Sequence, residues 1–71
     1  MITGEQLQNW FVYHAPEGDD EQGYVAIREA AKHFARVIIA ETPPSADQTA
    51  AVRKVREAMM TANAAIACRG E

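Results

Sequence analysis

Cysteine occurs once in the 71 residues, as Cys68. A single thiol closes no intrachain disulfide, which excludes the stapled scaffolds of small secreted proteins and points to a reducing compartment. No apolar run approaches the roughly 18 residues that span a bilayer. The opening MITGEQLQNW lacks the cationic and apolar regions of a secretory signal, so the expectation is a soluble, cytosolic protein with no membrane partner. No Walker-type glycine loop or dinucleotide fingerprint is present. The two histidines, His14 and His33, are far apart in sequence, and there is no H-E-x-x-H or Cys/His cluster, so neither a metal nor a cofactor is expected. Cys68 falls near a predicted helix C-terminus, where the negative end of the dipole opposes a thiolate. No residue is assigned a catalytic role, and the chain does not read as an enzyme. Positive charge is also short. Seven Lys and Arg against ten Asp and Glu give a net charge of −3. That disfavours general attraction to a DNA or RNA polymer, yet allows a small anion held by a few local cations.

What is present is helix. After the acidic stretch EGDDEQG, apolar residues recur at Tyr24, Ile27, Ala31, Phe34 and Ile38. Steps of three and four make a heptad seam. Asp19 or Asp20 is placed to cap this helix, and the acidic cluster suits its N-terminus. Pro43 and Pro44 end it near Glu41 or Thr42. Ser45 with Gln48 three residues on then reads as a capping box. A second seam follows at Val52, Val55, Met59, Ala62 and Ile66, ending near Cys68 with Gly70 as the C′ glycine. Upstream, Thr3 and Gln6 form another capping box for a helix of about two turns, and FVYHAP is read as extended because Pro16 biases Ala15 away from helix.

The expected fold is therefore all-α. It is a single antiparallel helical hairpin domain over residues 1–71, with an N-terminal lid segment (1–18) and helices over 19–42 and 45–69. A chain this short buries only about 60% of its unfolded surface. Its apolar residues include many alanines, and Val37, Ile39, Met60 and Ala65 lie off the seams and need cover. The expectation is an obligate homo-oligomer.

Three features can carry binding. The first is NWFVYHAP, which holds Trp10, Phe11, Tyr13 and His14. Trp10 and Phe11 read as a hydrophobic lid over the hairpin. In an extended segment Phe11 and Tyr13 point one way and Val12 and His14 the other, which leaves Tyr13 at the rim, where a planar partner can stack. The second is a cationic stripe, Arg28, Lys32 and Arg36, recurring every four residues on one helix face. It reads as a solvated face or as a phosphate clamp, with Arg28 and Lys32 nearest the lid. The third is TANAAIACRG. Its small residues suit close packing, and Asn63 and Arg69 are its strong side-chain donors beside Thr61. Arg53, Lys54 and Arg56 are read as facing solvent, with Arg53 placed to pair with Glu57.

FVYHAP, then YVAIREAAKHFA, then PPSADQTAAVRKVREAMMTANAAIA resemble the helical hairpin domain of the phage anti-CBASS and anti-Thoeris nucleotide sponges. The resemblance covers about residues 9–68. It implies a phage immune-evasion protein, acting in the cytoplasm of the infected host. Such a protein binds and sequesters cyclic oligonucleotide second messengers without cleaving them, and is assembled as a homo-oligomer, commonly a hexamer, with pockets between protomers. On this resemblance the base-stacking aromatic maps onto Tyr13 and the phosphate-binding cation onto Arg28. The trinucleotide site maps onto the small-residue end of the second helix with Arg69, and its hydroxyl position falls on Ala30. Cyclic dinucleotides are therefore the first expectation, with cyclic trinucleotides and cyclic ADP-ribose isomers as further candidates. The alternative expectation is an oligomeric hairpin that binds a host protein and no small ligand, with the aromatic cluster as its hot spot.

Overall fold

The computed structural model describes residues 1–71. It is all-helical, with α1 over Gly4–Phe11, α2 over Asp20–Glu41 and α3 over Ala46–Ala67. Thr3 Oγ1 accepts from the Gln6 amide, and Gln6 Oε1 accepts from the Thr3 amide, each at 3.0 Å. This reciprocal box starts α1 by satisfying two otherwise orphaned donors. α1 includes Phe11, and the chain turns extended only at Val12. The parity reading that paired Phe11 with Tyr13 therefore does not apply. Nor does Phe11 act as a lid within the chain, since it is 81% exposed. Trp10 does reach the far end of the hairpin: its indole N–H donates to the Glu71 carbonyl at 3.2 Å. Beside it the Asn9 side-chain NH₂ donates to the Cys68 carbonyl at 3.2 Å.

Gly18, in the left-handed region at φ 54°, turns the chain into α2. Asp19 occupies the N-cap but makes no side-chain cap bond. Asp20, the first helical residue, accepts instead from the Glu17 amide at 2.9 Å. At the other end of α2, Thr42 turns back on Ile38: its amide at 3.1 Å and its hydroxyl at 2.6 Å both donate to that carbonyl. Pro43 and Pro44 then prevent continuation. Ser45 Oγ accepts from the Gln48 amide at 3.1 Å. The Gln48 side chain does not complete a box with Ser45. Its NH₂ donates toward the Thr42 carbonyl at 3.0 Å, Thr42 Oγ1 at 3.2 Å and the Ile39 carbonyl at 3.3 Å. One residue thus caps the start of α3 and the end of α2.

α3 closes in a Schellman motif, with Arg69 N–H on the Ile66 carbonyl and Gly70 N–H on the Ala65 carbonyl. Arg69, not Gly70, holds the C′ position, at φ 56°. That conformation is unfavourable for a residue with a Cβ by roughly 1–2 kcal/mol. The two ion pairs that Arg69 makes, described below, hold it there.

α2 and α3 pack antiparallel. The half-buried positions are Tyr24, Ile27, Ala31, Ala35 and Ile38 facing Val52, Val55, Met59, Ala62 and Ile66. Ala35 takes the place expected of Phe34, which is 57% exposed. A straight helix drifts about 20° per heptad from a strict 3.5-residue seam, so Phe34, one heptad after Ile27, falls off the seam and lines the wall of the groove. Gly23 allows the closest approach: a Cβ there would stand 3.2 Å from Ile66 Cδ1.

No residue is fully buried. The radius of gyration is 15.1 Å, against about 11 Å for a compact chain of this length. The accessible surface is 5745 Å², against about 4,400 Å² for a folded monomer of this mass. The molecule is a slab 44 × 30 × 15 Å, one layer of helices thick.

Candidate functional site

A two-helix layer has two broad faces, and the sequence makes them unlike. One is an apolar groove of about 570 Å³. Ile27, Phe34 and Ile38 line it from α2, Val55 and Met59 from α3, and Lys54 is its one charged residue. Ile39 and Met60 are each 56% exposed elsewhere on the surface. The hairpin thus leaves a broad apolar surface open.

The other face holds a smaller cleft, of about 170 Å³. Arg28 and Lys32 come to it from α2 and Arg56 from α3, over a floor that includes Ala31, Ala35 and Val55. The small alanines leave the cleft open, and the four-residue spacing puts Arg28 and Lys32 on one side of α2. Lys32 meets Glu29 at 3.7 Å on an exposed surface, a contact of little strength. Arg28 and Arg56 have no carboxylate within ion-pair distance. The lining contains no carboxylate, histidine, hydroxyl or thiol. Such a wall attracts anions through guanidinium forks matched to phosphate oxygens, and supplies no nucleophile paired with a base.

Arg56 was read from the sequence as a solvent-facing residue. It is exposed, yet it shares this cleft. The signal that finds it is register: the antiparallel alignment that sets Gly23 against Ile66 puts residue 56 across from His33, one position from Lys32. Arg36, the third member of the stripe, does not line the cleft. The expected Arg53–Glu57 pair is not formed within ion-pair distance.

The remaining candidates lie elsewhere. Tyr13 and His14 sit in the link between α1 and α2. Tyr13 is 86% exposed and lines neither broad face. His14 turns inward, with Nε2 2.6 Å from the Asn9 carbonyl. A carbonyl only accepts, so Nε2 carries the proton in that bond. Asn63 is half-buried on α3, with Oδ1 unpartnered within the chain.

Arg69 spans the open end of the hairpin. Its guanidinium meets Asp20 Oδ1 at 2.7 Å and Glu17 Oε2 at 3.0 Å. The Arg69 hydrogen bond, then the Glu17 amide, hold the Asp20 carboxyl below its ordinary range. Asp20 in turn raises the Arg69 guanidinium above its ordinary value. Near this end, Trp10, Thr61, Ala64 and Cys68 border a third cleft of about 360 Å³. No set of three or more His, Cys, Asp or Glu side chains is clustered in a metal-binding arrangement. No helix is long and apolar enough to cross a membrane.

Of the sequence candidates, the fold thus unites Arg28 with Lys32, adds Arg56, and leaves Tyr13, His14, Asn63 and Arg69 apart from them in the single chain. Comparison with known proteins found no match among curated proteins or solved structures. The family model for the Acb2/Tad1 hairpin domain matches residues 4–67, from the first residue of α1 to the last of α3. The chain belongs to the Acb2/Tad1 hairpin family, that of the anti-CBASS and anti-Thoeris sponges.

Proposed function

We propose that this protein is a phage immune-evasion sponge. It binds cyclic oligonucleotide second messengers in the cytoplasm of the infected host and withholds them, uncleaved, from defence effectors of the CBASS or Thoeris type. Cyclic dinucleotides are the first ligand class, ahead of cyclic trinucleotides and cyclic ADP-ribose isomers. The observation that carries this reading is the family match over residues 4–67. The cationic cleft supports it chemically, as a cradle for phosphodiesters with no hydrolytic group in its lining.

The working form is a homo-oligomer, with a hexamer as the proposed state. A chain with no fully buried residue and an open apolar groove has most of its burial still to gain from other copies. Assembly also bears on the site. In one chain Tyr13 stands clear of the face that carries Arg28 and Lys32. In the proposed pocket Tyr13 of one copy stacks on a base while Arg28 and Lys32 of another hold phosphate, with His14 anchoring the Tyr13 strand to α1. Asn63 Oδ1 is buried and unpartnered within the chain, so Asn63 meets a ligand or a neighbouring copy only if α3 or its side chain shifts. Arg69 joins a ligand only by leaving Asp20 and Glu17. Ligand that binds the folded assembly alone stabilises it by mass action.

Thermal melts against cyclic dinucleotides, cyclic trinucleotides and cyclic ADP-ribose isomers, with linear nucleotides as controls, test the reading. A shift with a cyclic ligand, and recovery of that ligand intact after denaturation, is the expected result. No shift across the panel sinks it. It would leave the second reading, a hairpin whose exposed apolar groove docks on a host protein.

A further inference from the structure

Arg56 is exposed, as its sequence position suggests, but it is not isolated. It stands on α3, while the stripe that defines the cationic face stands on α2, yet Arg28, Lys32 and Arg56 line one cleft of about 170 Å³. Only Lys32 has a carboxylate within ion-pair distance, Glu29 at 3.7 Å and largely in solvent. Cations gathered in so small a space, over an apolar floor of Ala31, Ala35 and Val55, repel one another. The fold gains nothing from that arrangement by itself. A stripe on one helix would be a solvated face; cations converging from two helices without a carboxylate between them form a grip.

We propose that Arg56 is a ligand-contacting residue, and that it closes on a phosphodiester from α3 while Arg28 holds the same group from α2. The ligand class is a phosphate ester or diphosphate with at least one full negative charge. The assignment deepens the sponge reading and rests on it for the identity of the natural ligand. It has a consequence of its own. Because the two grips lie on different helices, the anion cross-links α2 to α3 in a hairpin that has no buried core. Binding therefore stiffens the hairpin itself and offsets the repulsion across the cleft.

The test compares wild type with R28A, R56A, R56K and R53A. Arg53 is exposed and lines neither broad face, so R53A controls for the loss of one positive charge. Each protein is melted alone, with inorganic pyrophosphate, and with the cyclic dinucleotide panel, and affinities are measured by calorimetry. Without ligand, R56A melts at or above the wild-type temperature, because a repulsion is removed. R56A then weakens binding about tenfold or more, as expected for a lost hydrogen bond to a charged group, R56K restores part of it, and R53A binds as wild type. If wild type binds a cyclic dinucleotide and R56A binds it equally well, the assignment of Arg56 is overturned and the sponge reading stands. If no cyclic nucleotide binds but pyrophosphate stabilises wild type and not R56A, the anion grip stands and the sponge reading falls. If R53A weakens binding as much as R56A, the effect is one of net charge, and the assignment is again overturned.

Discussion

The Arg69 guanidinium donates to Asp20 at 2.7 Å, joining the C′ residue just past α3 to the first residue of α2 across 49 positions of sequence. Glu17 takes the second amino group at 3.0 Å. The three charges lock the open end of the hairpin, as the Thr42, Ser45 and Gln48 bonds lock the turn.

This lock sets an acid sensitivity. The Asp20 carboxyl is held below its ordinary 3.8, first by Arg69 and then by the Glu17 amide. A carboxyl depressed in the folded state contributes stability that is fully present above its unfolded value and is lost as pH falls through its folded value. Wild type should therefore lose melting temperature from about pH 4 downward. D20N should start lower at pH 7 and show a flatter acid limb. An acid limb of equal slope in the two proteins would remove Asp20 from the account. The raised Arg69 value adds no dependence near neutrality, because both states remain protonated there.

At the turn, Gln48 is the residue to remove. Its amide group reaches the Thr42 carbonyl at 3.0 Å and the Ile39 carbonyl at 3.3 Å. Q48A deletes these bonds and should cost about 1–2 kcal/mol. S45A, which removes the cap and the hydroxyl's bond to the Pro43 carbonyl at 3.0 Å, should cost about 1 kcal/mol. Denaturant melts check the order, and S45A being the more harmful would show that the turn relies on Ser45.

Gly23 offers a signed test of helix approach. Gly to Ala within a helix gains about 1 kcal/mol, but the new Cβ meets Ile66 Cδ1 at 3.2 Å. G23A alone should be near neutral. I66V, which removes that methyl, should cost about 0.5–1.5 kcal/mol. In the I66V background G23A should recover the full helix gain, a positive coupling in a double-mutant cycle. Strict additivity would mean that the two helices part without cost.

Assembly can be probed at Phe34, on the wall of the apolar groove and 57% exposed in the single chain. If copies cover this groove, F34E places a charge in the interface and should shift sedimentation to smaller species and lower the melting temperature by several degrees. Wild type should melt higher as its concentration rises. An unchanged sedimentation profile for F34E would place the interface elsewhere.

For the ligand, Y13A and R28A should each weaken binding by roughly ten- to a hundredfold. Ligand-free melting should change little, since Tyr13 is 86% exposed and Arg28 makes no ion pair. Y13F should keep most of the affinity if stacking is the contribution. Normal binding by both alanine variants would refute the proposed pocket.

Local signals were legible where local chemistry decides. Thr3 with Gln6, the Pro43–Pro44 stop and the α3 seam are settled by neighbours a few residues apart. Phe34 against Ala35 was not, because both are apolar and one residue of phase separates seam from wall. Of FVYHAP, expected to be extended, only Phe11 is helical, because Pro16 acts on the residue before it and leaves α1 free to run on to Phe11. Gly70 is left-handed at φ 78°, but Arg69 takes the C′ position before it, also at positive φ, with its side chain held by two carboxylates more than forty residues away.

By itself the sequence determined two amphipathic helices, the Ser45 cap and the turn between them, because periodicity and local capping are short-range and written within a few residues. It also marked Arg28 and Lys32 as neighbours, four positions apart on one helix. Only the tertiary structure decided that Arg56 joins them, that Arg69 closes on Asp20, and that the apolar residues of a complete hairpin remain open to a second molecule. Those facts depend on the register and face with which α2 meets α3, and register is fixed by the sum of many weak contacts that no single stretch of sequence contains.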